Sequence, residues 1–187
     1  MDHLIAPMDT DHEQLFADLA GDLADALSIG VPNRSTGPHI TLVSYTGLAP
    51  EAAVRALGPV ARATEPLRVR AHGYGLFTGD EDTDLSLHVV VVRTRELDEL
   101  QRRSRAALVE AGACVDGISQ PAVWTPHVTL LDHSLTPELL GRAVELLARR
   151  PHRRWTITLA SLAVARRGWA DAAGHTRLAL DLGADDR

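Results

Sequence analysis

The sequence predicts an α+β fold of two similar halves, each an antiparallel sheet with helices on its outer side. Three observations carry this reading. Short apolar runs bounded by Gly, Pro and Asp recur along the chain, as strands require. Longer stretches with leucines at helical spacing and polar starts alternate with them. And the phrase Pro-His-x-Thr-Leu occurs twice, at Pro38–Leu42 and again at Pro126–Leu130, close to half a chain apart. Each copy has the same surroundings: a loop, the phrase at the head of a strand, a short link and then a helix. Residues 1–187 are therefore read as one bilobal domain, with motif one at 39–42 and motif two at 127–130.

The elements follow in order. "HLIAPM" reads as a short strand. "DTDHEQLFADLAGDLADAL" reads as a helix, with Leu15, Leu19, Leu23 and Leu27 on one side and acidic residues in its first turn. "SIGVPNRSTGP" is loop by composition, and the first motif strand covers roughly His39 to Tyr45. A helix fits "APEAAVRALGPVARAT", with Pro59 expected to kink it or end it early. "LRVRAHGYGLF" and "LSLHVVVVRT" predict paired strands joined by the acidic turn "TGDEDTD". "RELDELQRRSRAALVEAG" predicts a helix with Gly112 at its C-terminal cap. "ACVDGISQPAVW" reads as a loop leading to the second motif strand. "TPELLGRAVELLARR" opens on a Thr cap with Pro137 in the first helical position. "WTITLASLAVARR" and "TRLALDL" read as a closing pair of strands.

The repeated phrase has a geometric consequence. Side chains two apart in a strand share a face, so His39 lies with Thr41 and His127 with Thr129, while Ile40, Leu42, Val128 and Leu130 anchor the other face. Pro38 and Pro126 suit a strand's first position, where a missing donor does least harm. Packed face to face, the halves bring two imidazoles and two hydroxyls to one place. Imidazole exchanges a proton near neutral pH, so one His takes a proton while the other gives one. Two Thr hydroxyls donate to the non-bridging oxygens of a phosphate as charge builds there. Acid and base on opposite sides of phosphorus suit in-line displacement on a strained cyclic phosphodiester, and no metal is required.

Two copies of His-x-Thr followed by an apolar residue, half a chain apart in a protein of this size, resemble the two-histidine (2H) phosphoesterases. That group includes the RNA 2',3'-cyclic phosphodiesterases, also called 2'-5' RNA ligase-like proteins. The resemblance covers most of the chain in order and spacing, and its specific part is the two pentads. It implies a cleft between pseudo-symmetric lobes, no cofactor, and His39, Thr41, His127 and Thr129 as the catalytic set. By analogy His127 is the base towards water and His39 the acid towards the leaving oxygen, with a 2'-phosphate as product. The alternatives are a non-catalytic nucleotide- or RNA-binding module using the same cleft, and 2'-5' RNA ligation by the reverse chemistry.

Other residues carry weaker expectations. Tyr45 is expected on the face of His39 and Thr41, within reach of a base or ribose. Trp124 is expected either to stack on a nucleobase or to cover the core edge. Arg34 and Arg166 are candidates for phosphate contact. His88, in "LSLHVVVV", is read in favour of a core histidine over a cleft residue, and His133 is placed on the motif-two face. His3, His12, His72, His152 and His175 are read as surface residues, with no zinc-ligand spacing among them. "GYG" at Gly73–Gly75 reads as a flexible strand or bulge.

Composition sets the limits. A 45% hydrophobic and 24% charged chain is an ordinary globular one. The net charge of −6, with arginine as its only strong base, disfavours tight non-specific binding to long nucleic acid but leaves arginines for a small phosphorylated ligand or an RNA end. A single cysteine, Cys114, excludes an internal disulfide framework. No apolar run is long enough for a membrane span, and "MDHLIAPMDTDHEQ" lacks signal-peptide features. The expectation is a cytoplasmic protein, and nothing demands more than a monomer.

Overall fold

The computed structural model of the chain describes residues 1–30, 36–78, 85–150, 154–166 and 177–183, without the side chains of residues 132–134, 166 and 177. The N-terminal run forms β1 (Asp2–Pro7), and α1 (Thr10–Leu27) follows it. The first motif opens β2 (His39–Thr46), which leads to α2 (Pro50–Arg62). Strands β3 (Leu67–Thr78) and β4 (Leu85–Val91) pair, and α3 (Arg95–Glu110) comes next. After a short strand β5 (Cys114–Val115) and a turn of 3-10 helix (Gly117–Ser119), the second motif opens β6 (His127–Leu135). The chain ends in α4 (Pro137–Ala148), β7 (Arg154–Leu159), β8 (Ser161–Arg166) and β9 (Arg177–Asp181).

All strand pairings are antiparallel, in the order β7-β3-β4-β6-β2-β1-β8-β9, with β5 added beside β2. The order is balanced about the β6–β2 junction. Each motif strand is innermost in its half, β2 flanked outward by β1 and β6 by β4. The expected α+β fold is present, with the two half-sheets continuous through one residue pair, Ile40 with Val128.

The helices cover one face of this sheet. Leu4, Val43, Leu57, Val89, Leu97, Val128 and Leu130 are buried there in a single core with Phe16, Leu23 and Leu147. The opposite face carries a much smaller buried cluster, Ile5 with Ala163 and Ala165. That division follows from alternation: Leu4 and Ala6 on β1 face the helices, and Ile5 between them faces away.

Several expectations change in detail. The stretch expected to be one strand forms two, β7 and β8, over residues 154–166. The buried positions Trp155, Ile157 and Leu159 keep a period of two, but the next are Leu162 and Val164. That three-residue step at Ala160–Ser161 breaks the phase, and β7 joins β3 while β8 joins β1 and β9. Pro59 does not end α2, which runs on to Arg62; it sits in the last turn, where few amides depend on its position. The loop 113–124 contains β5 and the 3-10 turn. Gly112, at φ +98, follows α3 as a C-terminal glycine should. The "GYG" bulge is present, with the β3–β4 register shifting between Ala71 and Tyr74. The acidic turn at 79–84 lies outside the described residues.

Asp9 joins two elements. Its carboxylate accepts from the His12 amide at 3.2 Å, capping α1, and from the Thr158 amide of β7 at 2.8 Å. Burial acts to raise its pKa, but hydrogen bonds from Thr158 and from His12 outweigh it and hold the carboxyl below its usual 3.8. A depressed carboxyl contributes stability above its unfolded pKa and loses it as pH falls through the folded one. Asp9→Ala is therefore expected to cost about 1–2 kcal/mol at neutral pH. In urea unfolding series, its difference from the wild type should shrink as pH drops below about 4, the unfolded carboxyl being close to 3.9.

Candidate active site

The sheet's central pairing sets the site. With Ile40 opposite Val128 in an antiparallel register, His39 comes opposite Thr129 and Thr41 opposite His127. Opposed side chains in such a pair have Cβ atoms about 4.5–5.5 Å apart. All four project from the face away from the helices, and all four are partly exposed. Ile40 and Val128, pointing the other way, are fully buried and fix the strands from behind.

Both histidines are held alike. Nδ1 of His39 lies 2.8 Å from the Gly37 carbonyl, and Nδ1 of His127 lies 2.7 Å from the Thr125 carbonyl. A carbonyl only accepts, so Nδ1 carries the hydrogen in each ring and Nε2 is the basic nitrogen of the neutral form. Pro38 and Pro126 stand between ring and carbonyl in the sequence, and their fixed φ keeps the two-residue loop closed in both halves. Gly37 is at φ +66, a backbone conformation that favours glycine, and a Cβ there would also push the Glu13 carboxylate aside.

Each motif strand then makes the same departure from regularity. Ile5 pairs with Thr41 but Leu4 pairs with Val43, so Leu42 is an extra residue. In the other half His88 pairs with Thr129 but Leu87 pairs with Leu131, so Leu130 is extra. A bulge of this kind reverses the facing of everything beyond it. Tyr45 is consequently on the helix side, fully buried in the core. The expectation that it shares the face of His39 and Thr41 fails for that reason. Ser44 takes the motif face instead, with its hydroxyl 3.0 Å from Nδ1 of His3; His3 is thus partly buried and packed along this face, where a surface position was expected.

The first bulge is held by side chains from elsewhere. Nε1 of Trp124 donates to the Thr41 carbonyl at 2.9 Å. Nε2 of Gln101, on α3, donates to the carbonyls of Leu42 and Ser119. The Ser44 amide donates to Oγ of Ser119 at 2.8 Å, and the Ser44 carbonyl accepts from the Asp116 amide. Trp124 therefore covers the core edge, 5% exposed, and is not available as a stacking platform. Arg93 locks it further, donating to the Trp124 and Pro121 carbonyls with its guanidinium 5.7 Å from the indole centre. Through Trp124, the approach to motif two is fastened to the backbone of motif one.

His88 lies on the motif face. It pairs with Thr129 on one side and Gly75 on the other, is 3% exposed, and has its ring centroid 5.1 Å from that of His127. Phe77 stacks on His88 at 4.1 Å and meets His127 edge-on at 4.8 Å. Burial, and next the charge of a protonated His127, push the His88 pKa down from 6.5 to about 4, against a smaller opposing effect of the Ser86 backbone. The reading of His88 as a core histidine is half right: it is buried, but against the motif. Arg34 lies outside the described residues, as do the side chains of His133 and Arg166 and the whole of His152 and His175. Among the described residues, no group of three or more His, Cys, Asp and Glu side chains is disposed to hold a metal ion, and no helix is long and apolar enough to cross a membrane.

A family model, the 2'-5' RNA ligase superfamily, matches residues 12–169, both motif strands included. The chain belongs to that superfamily. The solved structures similar to this superfamily member bear out its fold. TT0787 of Thermus thermophilus superposes with a TM-score of 0.58 at 17% identity, over 98% of each chain. A crystal structure described as a phosphoesterase gives 0.59 at 16% identity, over 96% of this chain and 97% of that one. Escherichia coli LigT, solved in complex with 3'-AMP, gives 0.59 at 15% identity, over 96% and 97%. No curated protein matches the sequence.

Sequence reasoning missed Phe77, Gln101 and Ser119 in this superfamily member, and underweighted His88. A signal for His88 exists: Ser86 and His88 alternate with the buried Leu85, Leu87 and Val89, so the strand has a polar face as well as an apolar one. For Gln101, a polar residue on the leucine side of α3 was the only mark.

Two outcomes follow from this geometry. Trp124→Phe keeps an aromatic ring but removes the donor to Thr41 along with part of the indole, and denaturant unfolding should show a loss of at least about 1–3 kcal/mol, the cost of an orphaned buried carbonyl. For His88, a folded pKa below the unfolded one means that the native state binds fewer protons between 6.5 and about 4. Stability should therefore fall as pH drops through that window and level off below it. The full difference, 6.5 to about 4, corresponds to roughly 3 kcal/mol. Unfolding free energies of wild type and His88→Phe, measured from about pH 7 down to about pH 4, should differ in slope, the wild type losing stability more steeply as pH falls.

Proposed function

We propose that this superfamily member is a metal-independent phosphodiesterase that opens 2',3'-cyclic phosphates, on a nucleotide or an RNA end, to 2'-phosphates. The observation that carries the reading is the crossed pair of motifs: each imidazole tethered through Nδ1 and set opposite the other motif's threonine. Such a pair flanks one point on the sheet with two nitrogen bases of the same tautomer, which suits a reaction needing a base on one side of phosphorus and an acid on the other.

In this reading Nε2 of His127 accepts a proton from the attacking water as its oxygen bonds to phosphorus. His39, doubly protonated, gives its Nε2 proton to the departing 3' oxygen as the P–O3' bond breaks. The proton count is restored when the two imidazoles exchange their extra proton with solvent. Hydroxyls of Thr41 and Thr129 donate to the non-bridging oxygens, whose charge rises along the path. A strained five-membered ring supplies part of the driving force. The 3'-AMP held by the similarly folded LigT supports a nucleotide-sized ligand.

The test is turnover with chelator present on 2',3'-cyclic nucleotides, a cyclic-phosphate-ended oligonucleotide and 2'-5'-linked oligoadenylate, with products separated by isomer. The wild type should release 2'-phosphates with a bell-shaped pH profile. His39→Ala and His127→Ala should each lower kcat by about 10²–10⁴-fold, the usual worth of a general acid or base. Undiminished turnover in either variant refutes the two-histidine mechanism, and nucleotide binding without turnover would favour a binding module.

A further inference from the structure

The two halves are alike in backbone but not in what surrounds each motif histidine. Beside Thr41, the next strand outward places Ile5, and the strand beyond it Ala163. The equivalent places beside Thr129 hold His88 and Gly75. An aliphatic pair on one side is replaced on the other by an imidazole and a residue with no side chain. The replacement is matched: a Cβ on Gly75 would lie 2.3 Å from Nε2 of His88 and 2.9 Å from its Cε1. Gly75 has no positive φ to explain it, so its lack of a side chain makes room for that ring.

The space so made is filled by three rings in mutual contact. Phe77 lies nearly parallel to His88, with 22° between the planes, and His127 packs on both of them. Stacked and edge-on aromatic contacts at these separations carry directional preference as well as area. His127 is thus tethered at Nδ1 and walled by two rings, one of them almost wholly buried beneath the other.

We propose that His88 is a positioning residue for His127: with Phe77 it forms an aromatic bracket that keeps the His127 ring on the Thr125 carbonyl and its Nε2 presented to the motif face. The role rests on the ring and needs no proton transfer by His88. It deepens the phosphodiesterase reading, on which its kinetic consequence depends, while its effect on His127 itself does not. At the places equivalent to His88 and Gly75, the His39 half carries Ile5 and Ala163, so loosening the bracket acts on one histidine of a pair whose Nδ1 tethers are alike.

The bracket is tested on the full chain by His88→Phe, which keeps a ring, His88→Leu, which fills space without one, and Gly75→Ala, which crowds the ring from below. Ring nitrogen shifts of His127, assigned by comparison with His127→Ala, report its tautomer with or without activity. In wild type and His88→Phe, neutral His127 should be the Nδ1–H form. In His88→Leu and Gly75→Ala a mixture of tautomers should appear, with His39 unchanged. On a 2',3'-cyclic nucleotide, those two variants should lose at least tenfold in kcat with KM within about threefold, and His88→Phe should stay within threefold of wild type. A folded His88→Leu protein with the wild-type His127 tautomer overturns the proposal, as does a His88→Phe protein as disordered at His127 as His88→Leu. If one substitution prevents folding, the remaining two decide. Absence of turnover in the wild type would count against the phosphodiesterase reading alone, since the nitrogen shifts still judge the bracket.

Discussion

Everything on the motif face depends on one main-chain pairing, Ile40 with Val128. Two strands that begin with nearly the same phrase run antiparallel and pair at the middle residue of each His-x-Thr. That contact makes His39 the neighbour of Thr129, and His127 the neighbour of Thr41. It is held from behind by side chains that are fully buried. A shift of one residue would turn every motif side chain into the core, so the apolar residues of the pentads set the register that the polar ones use.

The bulges solve a conflict built into that arrangement. A motif strand must show His and Thr outward at its start and still bury its far end against the helices. Regular alternation would have placed Ser44 in the core and Tyr45 outside. The extra Leu42 and Leu130 switch the phase just after each threonine. The switch leaves main-chain groups without ladder partners, and in the first half Trp124, Gln101 and Ser119 supply them. Those partners come from α3 and from the segment entering motif two, so the geometry of one motif is stabilised by the chain that delivers the other. This coupling is a plain consequence of satisfying buried carbonyls and amides.

How much of this was legible in the residues can be argued case by case. The repeat located both motif strands, and Leu spacing or a cap residue located α1, α3 and α4, because those signals are local. The face of His39 and Thr41 was legible for the same reason. Tyr45 was not, because a bulge depends on what the neighbouring strand offers and leaves no mark of its own in "HITLVSY". Trp124 was legible only as an alternative, since an indole three residues before a motif serves a ligand or a carbonyl equally well until the fold brings Thr41 within 2.9 Å. The break at Ala160 was readable in principle, from the three-residue step between Leu159 and Leu162. His88 was readable as a polar position on a strand, but not as a neighbour of His127, which lies far along the chain and reaches it only through the β4–β6 pairing.

A two-fold arrangement of identical groups poses a last question, which is how two equivalent histidines come to serve unequal ends. A symmetric site would share its proton evenly, and a reaction with distinct entering and leaving groups would gain nothing from the symmetry. The backbone here is symmetric down to the Nδ1 tethers and the bulges, so any difference must come from side chains. Around His39 the outer neighbours are Ile5 and Ala163; around His127 they are His88, Phe77 and the space over Gly75. His88 stays neutral until about pH 4, so through the range where an imidazole works it adds a polarisable ring and no charge of its own. Charge on His127 in turn makes a charge on His88 costlier, which keeps the neighbour neutral just when His127 holds a proton. The asymmetry thus lies one strand outward from the motifs, where it leaves the shared geometry of the two histidines intact.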